Sequence, residues 1–212
     1  MTPSTTAILT TRGRVIHWAA RYDLLAWLLT HGRERAFRER LVALGRLGPG
    51  ESVLDIGCGT GTLAIAARRR VGPAGDVFGI DASPRMIARA LSKAARAGVE
   101  VSFTTALAES LPFPDARFDV VLSTLMFHHL PRAVRHECAR EIRRVLKPSG
   151  RVLVVDFAVP QEKKGLLAHF HRHGHVDPAE TRSVLETSGL QSVDSGAVGL
   201  SSLHYVLAAP AV

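Results

Sequence analysis

Nine residues, VLDIGCGTG at positions 53–61, constrain this chain more than any others. A short apolar run of strand character meets a turn with glycine at Gly57, Gly59 and Gly61, and a helical pattern follows at once. Strand, glycine turn and helix in that order let a backbone approach a ligand at a helix N-terminus. The spacing is G-x-G-x-G, with Thr62 where the dinucleotide fingerprint has its third glycine. Asp55 lies two residues before the loop, at the strand end. A carboxylate there is poorly placed beside a pyrophosphate. It suits a ligand that has a cationic end and no phosphate.

The loop opens a repeating pattern. ESVLDIG, DVFGID, VEVSFTT, RFDVVLST and RVLVVDF read as strands, and LQSVDSGAV and LHYVLAA follow as two late ones. Between them TLAIAARRRV reads as a helix. So does SPRMIARALSKAARAG, with Ser83 as N-cap, Pro84 at the first helical position and Gly98 as the stop. PRAVRHECAREIRRVL puts Val134, Cys138, Ile142 and Val145 on one helical face, and DPAETRSVLETSG opens with a capping box, Asp177 to Glu180. Strands alternating with helices predict a parallel sheet covered on both faces. The pattern predicts one domain over 1–212, with 1–12 disordered, a helical cap over 13–47 and an α/β core over 48–212.

The cap is where the charge collects. The chain has a net charge of +8, and its first 50 residues hold eight arginines against Asp23, Glu34 and Glu39, a net of +5. Residues 14–29 repeat apolar side chains at helical spacing, and a second helix near 34–44 turns Phe37, Leu41 and Leu44 inward with Arg33, Arg35, Arg38 and Arg40 around it. Such a face is either a solvated cap or a basic surface that touches an anionic membrane. The two cysteines, Cys58 and Cys138, are far apart and suggest neither a disulfide scaffold nor a zinc cluster. No signal peptide pattern is visible at the start, so a cytoplasmic protein is expected, with peripheral contact at the inner membrane face as the finer expectation.

Asp81 closes the second strand, twenty residues beyond Gly61, where an acid holds ribose hydroxyls. A ribose, a cationic end and no phosphate describe S-adenosylmethionine. At this point the chain resembles the class I S-adenosylmethionine-dependent methyltransferases, especially the branch of ubiquinone/menaquinone methylases and small phospholipid N-methyltransferases. The resemblance rests on ARYD (20–23), VLDIGCGTG (53–61), GIDASPRMI (79–87), AESLPFPDARFDVV (108–121), HHLP (128–131) and EIRRVLKPSGRVLVVDF (141–157). It implies a Rossmann-like seven-stranded sheet, mostly parallel, of order 3-2-1-4-5-7-6 with the last strand antiparallel. It also implies that Asp55 steers the methionine ammonium through water and that Gly57, Gly59 and Gly61 floor the cofactor. Asp81 would take the ribose, Ala82 and Met86 would line the adenine, and the chain at Ser123 would offer a carbonyl to the ammonium. Tyr22 would help close the site. One departure stands out. The family has Asp before the Ala-Glu of AESLPF, where it accepts from the adenine amino group; here that residue is Leu107, which leaves the Ala108 N–H as the remaining donor to the ring.

Methyl transfer needs alignment and dryness, and a base only if the nucleophile is protonated. The catalytic candidates follow strands four and five, where open α/β sheets bind ligands: His128, His129 and Asp156. The alternative reading is that the histidines start a helix and Asp156 caps its strand. In AHFHRHGHVD, His169, His171, His173 and His175 alternate, which puts four imidazoles on one face of an extended segment. A lid facing the acceptor is expected there, ahead of a surface loop or a metal site, and no metal is expected. The reading that results is a methyltransferase for a small lipophilic or membrane-derived acceptor. A nucleic-acid methyltransferase is its competitor, weakened because STLMFHHLP lacks the Asn/Asp-Pro-Pro-aromatic loop of amino-methylating enzymes and no aromatic platform is visible. A cofactor-binding regulator without turnover is the third.

Overall fold

The computed structural model describes residues 13, 33–158, 177–199 and 203–211. The 1–12 segment, the first cap helix, Tyr22 and the four alternating histidines of 169–175 lie outside the described residues.

β1 (Ser52–Ile56) is buried at every position, as a central strand covered on both faces must be, which is why it reads as an unbroken apolar run apart from Asp55. Parallel neighbours flank it: β2 (Asp76–Asp81) on one side and β4 (Phe118–Thr124) on the other. β3 (Ser102–Thr105), β5 (Leu146–Phe157), β6 (Leu190–Ala197) and β7 (Leu203–Pro210) complete one sheet of order β3-β2-β1-β4-β5-β7-β6. β7 runs antiparallel to both β5 and β6. The sheet is the one the resemblance implies. β6 is one edge, and its alternation of exposed residues with buried or half-buried ones follows from having one wet face.

Among the described residues three helices, α1 (Glu34–Leu44), α2 (Thr62–Val71) and α3 (Pro84–Ala97), precede β4, and α4 (Arg132–Val145) and α5 (Pro178–Glu186) follow it. Two apolar clusters share the sheet between them. Phe37, Leu41, Leu63 and Ala64 pack with Val53, Val120 and Leu153 on one face. Val134, Cys138, Ile142, Val184 and Leu185 pack with Leu54, Val121 and Val154 on the other. Period-two alternation therefore sends the side chain of Asp55 to the α1–α2 face and that of Asp156 to the α4–α5 face.

The caps behave as their chemistry requires. Ser83 Oγ accepts from Met86 N–H at 3.4 Å, and Gly98 takes the left-handed conformation (φ 63°) that ends α3. Asp177 accepts from Ala179 N–H at 2.8 Å, but Glu180 does not close a capping box: its carboxylate faces Arg135 at 3.1 Å. Two other details differ from the sequence reading. β5 starts at Leu146 rather than at Arg151, and its register against β4 jumps between Phe118 and Val120, because Lys147–Gly150 bulge out around Pro148, which has no N–H to give. On α1, Arg38 is not part of the exposed ring. It is buried with Phe37, Leu41 and Val42.

Candidate active site

The glycine loop bends in the left-handed region three times, with φ of 69°, 52° and 79° at Gly57, Gly59 and Gly61. Two of these positions also have no room for a side chain. A Cβ at Gly57 would sit 2.5 Å from Met126 Cγ, and one at Gly61 would sit 2.7 Å from Phe103 Cζ. The floor is therefore bare backbone by necessity.

Asp81 holds this loop in shape. One of its oxygens accepts from Gly59 N–H at 3.0 Å and the other from Ser83 N–H at 2.8 Å. Burial raises its carboxyl above the usual range, against the pull of those two N–H groups. Each oxygen keeps a further lone pair for a ligand hydroxyl. Ala82 is half-buried beside it, whereas Met86 is 2% exposed and lies in the interior. Ala106 N–H donates to Asp81 O at 3.2 Å, which brings the half-buried Leu107 and Ala108 alongside the end of β2. Ser123 is fully buried in β4, opposite Ile56, the last residue of β1, and its Oγ has no partner among the described residues. Two residues on, Leu125 has φ 56°, a conformation that costs a branched side chain on the order of 1 kcal/mol or more. Its N–H is held by Val155 O at 2.8 Å, which fixes the chain as it leaves the sheet.

Asp55 is 1% exposed, and neither carboxylate oxygen makes a hydrogen bond among the described residues. Burial pushes its carboxyl up to about 7; the charge of Arg38 opposes the rise and that of Asp81 adds to it. An acid whose folded value is raised favours the folded state at low pH, and that contribution is lost as pH climbs from 3.8 toward about 7. A cationic ligand needs the ionised form. Affinity for S-adenosylhomocysteine, which keeps the ammonium, should therefore fall as pH drops below about 7, with proton release on binding. Asp55→Asn should abolish the proton release and make the ligand-free protein more heat-stable at pH 8. Calorimetry in buffers of different ionisation enthalpy checks the first outcome, and thermal melts check the second.

Across the edge of the sheet stands a second constellation. The turn Phe127–His129 follows β4, and His128 Nδ1 lies 2.6 Å from Asp156 Oδ1 at the end of β5. The same carboxylate accepts from His128 N–H at 3.0 Å and Phe157 N–H at 2.8 Å. A carboxylate against Nδ1 puts the proton on that nitrogen and the free lone pair on Nε2. The ring is wedged between His129, at 3.9 Å between centroids, and the edge of Phe157 at 5.6 Å. Of the three catalytic candidates, His128 and Asp156 are thus brought into one hydrogen-bonded pair, and His129 stacks on it. His204 of β7 stands opposite Asp156 on the same face, with a buried Nδ1 that has no partner among the described residues. Nothing in LHYVLAA marks that histidine.

Arg38 was also missed, although a signal existed. Phe37, Leu41 and Val42 form a stripe wide enough to include it, once Val42, four residues on, is counted as inward.

Comparison with known proteins finds methyltransferases among the relatives. Residues 53–150 match the family model described as "Methyltransferase domain". A demethylmenaquinone methyltransferase of Thermus thermophilus is 41% identical over 142 residues, 67% of this chain and 63% of that protein. A ubiquinone/menaquinone biosynthesis C-methyltransferase UbiE of Pseudomonas paraeruginosa is 40% identical over 144 residues, 67% of this chain and 56% of that protein. By these likenesses the chain is similar to the class I S-adenosylmethionine-dependent methyltransferases. It spans less than two thirds of the length of these curated relatives. The crystal structure of a SAM-dependent methyltransferase from Aquifex aeolicus, at 23% identity, has a TM-score of 0.74 and covers 90% of this chain and 97% of that one. The [4+2]-cyclase SpnF, at 19% identity, also reaches 0.74, over 92% of this chain and 94% of that one. These two likenesses concern the fold alone.

S-adenosylmethionine is the cofactor that this family implies, and the residues present fit it. The orphaned carboxylate of Asp55 matches its ammonium, Asp81 its ribose, and the bare backbone of the loop the close approach between them.

Proposed function

We propose that this methyltransferase moves a methyl group from S-adenosylmethionine to a small lipophilic acceptor of the quinone type, drawn from an anionic membrane surface. The observation that carries the chemistry is the His128–Asp156 pair, 2.6 Å apart at the cofactor edge of the sheet. The acceptor class is supported by the names of the Thermus and Pseudomonas relatives. The exposed Arg33, Arg35 and Arg40 of the cap support the surface. Among the described residues no helix is long and apolar enough to cross a membrane.

When bound, S-adenosylmethionine supplies a methyl carbon already activated by its sulfonium, and it departs as the neutral thioether S-adenosylhomocysteine. The protein must align the nucleophile about 3 Å from that carbon and exclude water. A reduced quinone ring is a phenol, and its ring carbon becomes strongly nucleophilic when a hydroxyl is ionised. His128 Nε2 takes the hydroxyl proton, while Asp156 holds the tautomer and steadies the imidazolium. After the carbon–carbon bond forms, the ring C–H proton is lost and a proton returns to oxygen. One proton is released per turnover.

The test is S-adenosylhomocysteine release with hydroquinones in anionic or neutral vesicles, soluble phenols, thiols and RNA as parallel acceptors. Turnover should be fastest with hydroquinones on anionic vesicles and should fall with added salt. Turnover confined to RNA, or none on any acceptor, overturns the reading.

A further inference from the structure

His204 is an imidazole that the proton transfer above leaves unused. It stands directly opposite Asp156 in the antiparallel pair of β5 and β7, so the two side chains project to the same face of the sheet. Its Nδ1 is shut off from solvent and has no hydrogen-bond partner among the described residues. A buried ring nitrogen without a partner is costly, and folded proteins rarely leave one so. Between these two strands and the start of α5 lies a cavity of about 10 Å³. That is room for one water molecule and no more. A buried water takes about three polar partners. The lining supplies Asp156, Thr181 and His204, and its other members, Val154, Pro178 and Val206, are apolar. Asp156 also has a lone pair to spare. A carboxylate offers about four such positions. His128 Nδ1 at 2.6 Å and Phe157 N–H at 2.8 Å take those of Oδ1, and His128 N–H at 3.0 Å takes one on Oδ2.

We propose that a single water in this cavity joins His204 to the His128–Asp156 pair, and that His204 is thereby a positioning residue for the base. The water donates one hydrogen to Asp156 Oδ2 and the other to His204 Nδ1, and it accepts from the Thr181 hydroxyl. Every polar side chain around the cavity is then satisfied. With all its lone pairs engaged, the carboxylate cannot turn away from Nδ1 as the imidazole takes the acceptor's proton. The proposal rests on the reading of His128 as the base, and it adds a residue that acts on the reaction through Asp156.

Three substitutions in the full chain test this. His204→Phe keeps a ring and removes the nitrogen. In His204→Asn the amide oxygen stands where Nδ1 stands, whereas in His204→Gln the amide reaches the place of Nε2. Single-turnover methyl transfer to a hydroquinone in anionic vesicles should slow by about 10-fold in His204→Phe and His204→Gln, the loss of one hydrogen bond to a charged group. S-adenosylhomocysteine affinity should stay at the wild-type value, and His204→Asn should recover most of the rate. In a His128→Gln background, His204→Phe should add no further loss, because both act on one proton transfer. Proton NMR of the ligand-free chain gives a readout that needs no turnover. The resonance of the His128 Nδ1–H proton, recognised by its absence in His128→Gln, should move in His204→Phe and return toward its wild-type position in His204→Asn. The proposal is overturned if His204→Phe transfers methyl at the wild-type rate. It is equally overturned if all three variants lose rate alike, or if the loss persists undiminished in the His128→Gln background, which are the marks of a merely structural histidine. Should the wild type methylate no acceptor, the proposed function fails, and the NMR comparison alone decides the water bridge: an unmoved resonance in His204→Phe overturns it. Should His204→Phe fail to fold, the contrast of Asn with Gln decides in its place.

Discussion

Asp81→Ala should lower affinity for S-adenosylhomocysteine by more than about 100-fold, because its carboxylate serves the ligand and the loop at once. The ribose hydroxyls lose their acceptor. The N–H groups of Gly59 and Ser83, now at 3.0 and 2.8 Å from the two oxygens, lose theirs as well. Each unpaired donor costs about 1–3 kcal/mol, so the ligand-free variant should also melt several degrees lower. The pattern across ligands is distinctive. Asp81→Ala should lose 5′-methylthioadenosine as severely as S-adenosylhomocysteine, since both carry the ribose. Titration calorimetry that finds either ligand within threefold of wild type would refute the role.

The other large effect concerns turnover alone. His128→Gln should reduce the rate by about 10²- to 10⁴-fold with cofactor affinity unchanged within twofold, as expected for a base that never touches the cofactor. Asp156→Asn should fall nearly as far. An amide there presents N–H to Nδ1 and drives the imidazole proton onto Nε2, where the base is needed. Because both side chains serve one proton transfer, the double variant should be little worse than either single one. Single-turnover kinetics check all of this. If Asp156→Asn lowers the melting temperature but turns over normally, the carboxylate is a cap for the Phe157 and His128 N–H groups and nothing more.

Much of the fold was legible because its signals are local. Ser83, Pro84 and Gly98 bound a helix by chemistry that needs no distant partner. The bump after Leu146 was not legible, because the register jump that defines it belongs to β4 as much as to β5. The capping box failed for a related reason. Glu180 has a competing partner, Arg135, forty-five residues away in the chain. Site residues divide the same way. Gly57, Gly59, Gly61, Asp55 and Asp81 announce themselves by position relative to strand ends. Arg38 looked like one more surface charge, because the stripe of Phe37, Leu41 and Val42 that buries it is covered only once its helix packs on the sheet.

From its own order the chain determined the strand–helix alternation, the bare-backbone turn after β1 and the acids at the ends of β1 and β2. Each of these follows from periodicity or from conformations that few residue types can adopt. The tertiary structure alone decided which charged groups go unpaired and which pair. His128 and Asp156 are twenty-eight positions apart and meet because β4 and β5 are parallel neighbours whose ends coincide. Arg38 and Asp55 do not close on each other, although they share a face of the sheet. Burial and distance set the energy of a charge, and neither exists until the sheet has brought its strand ends together.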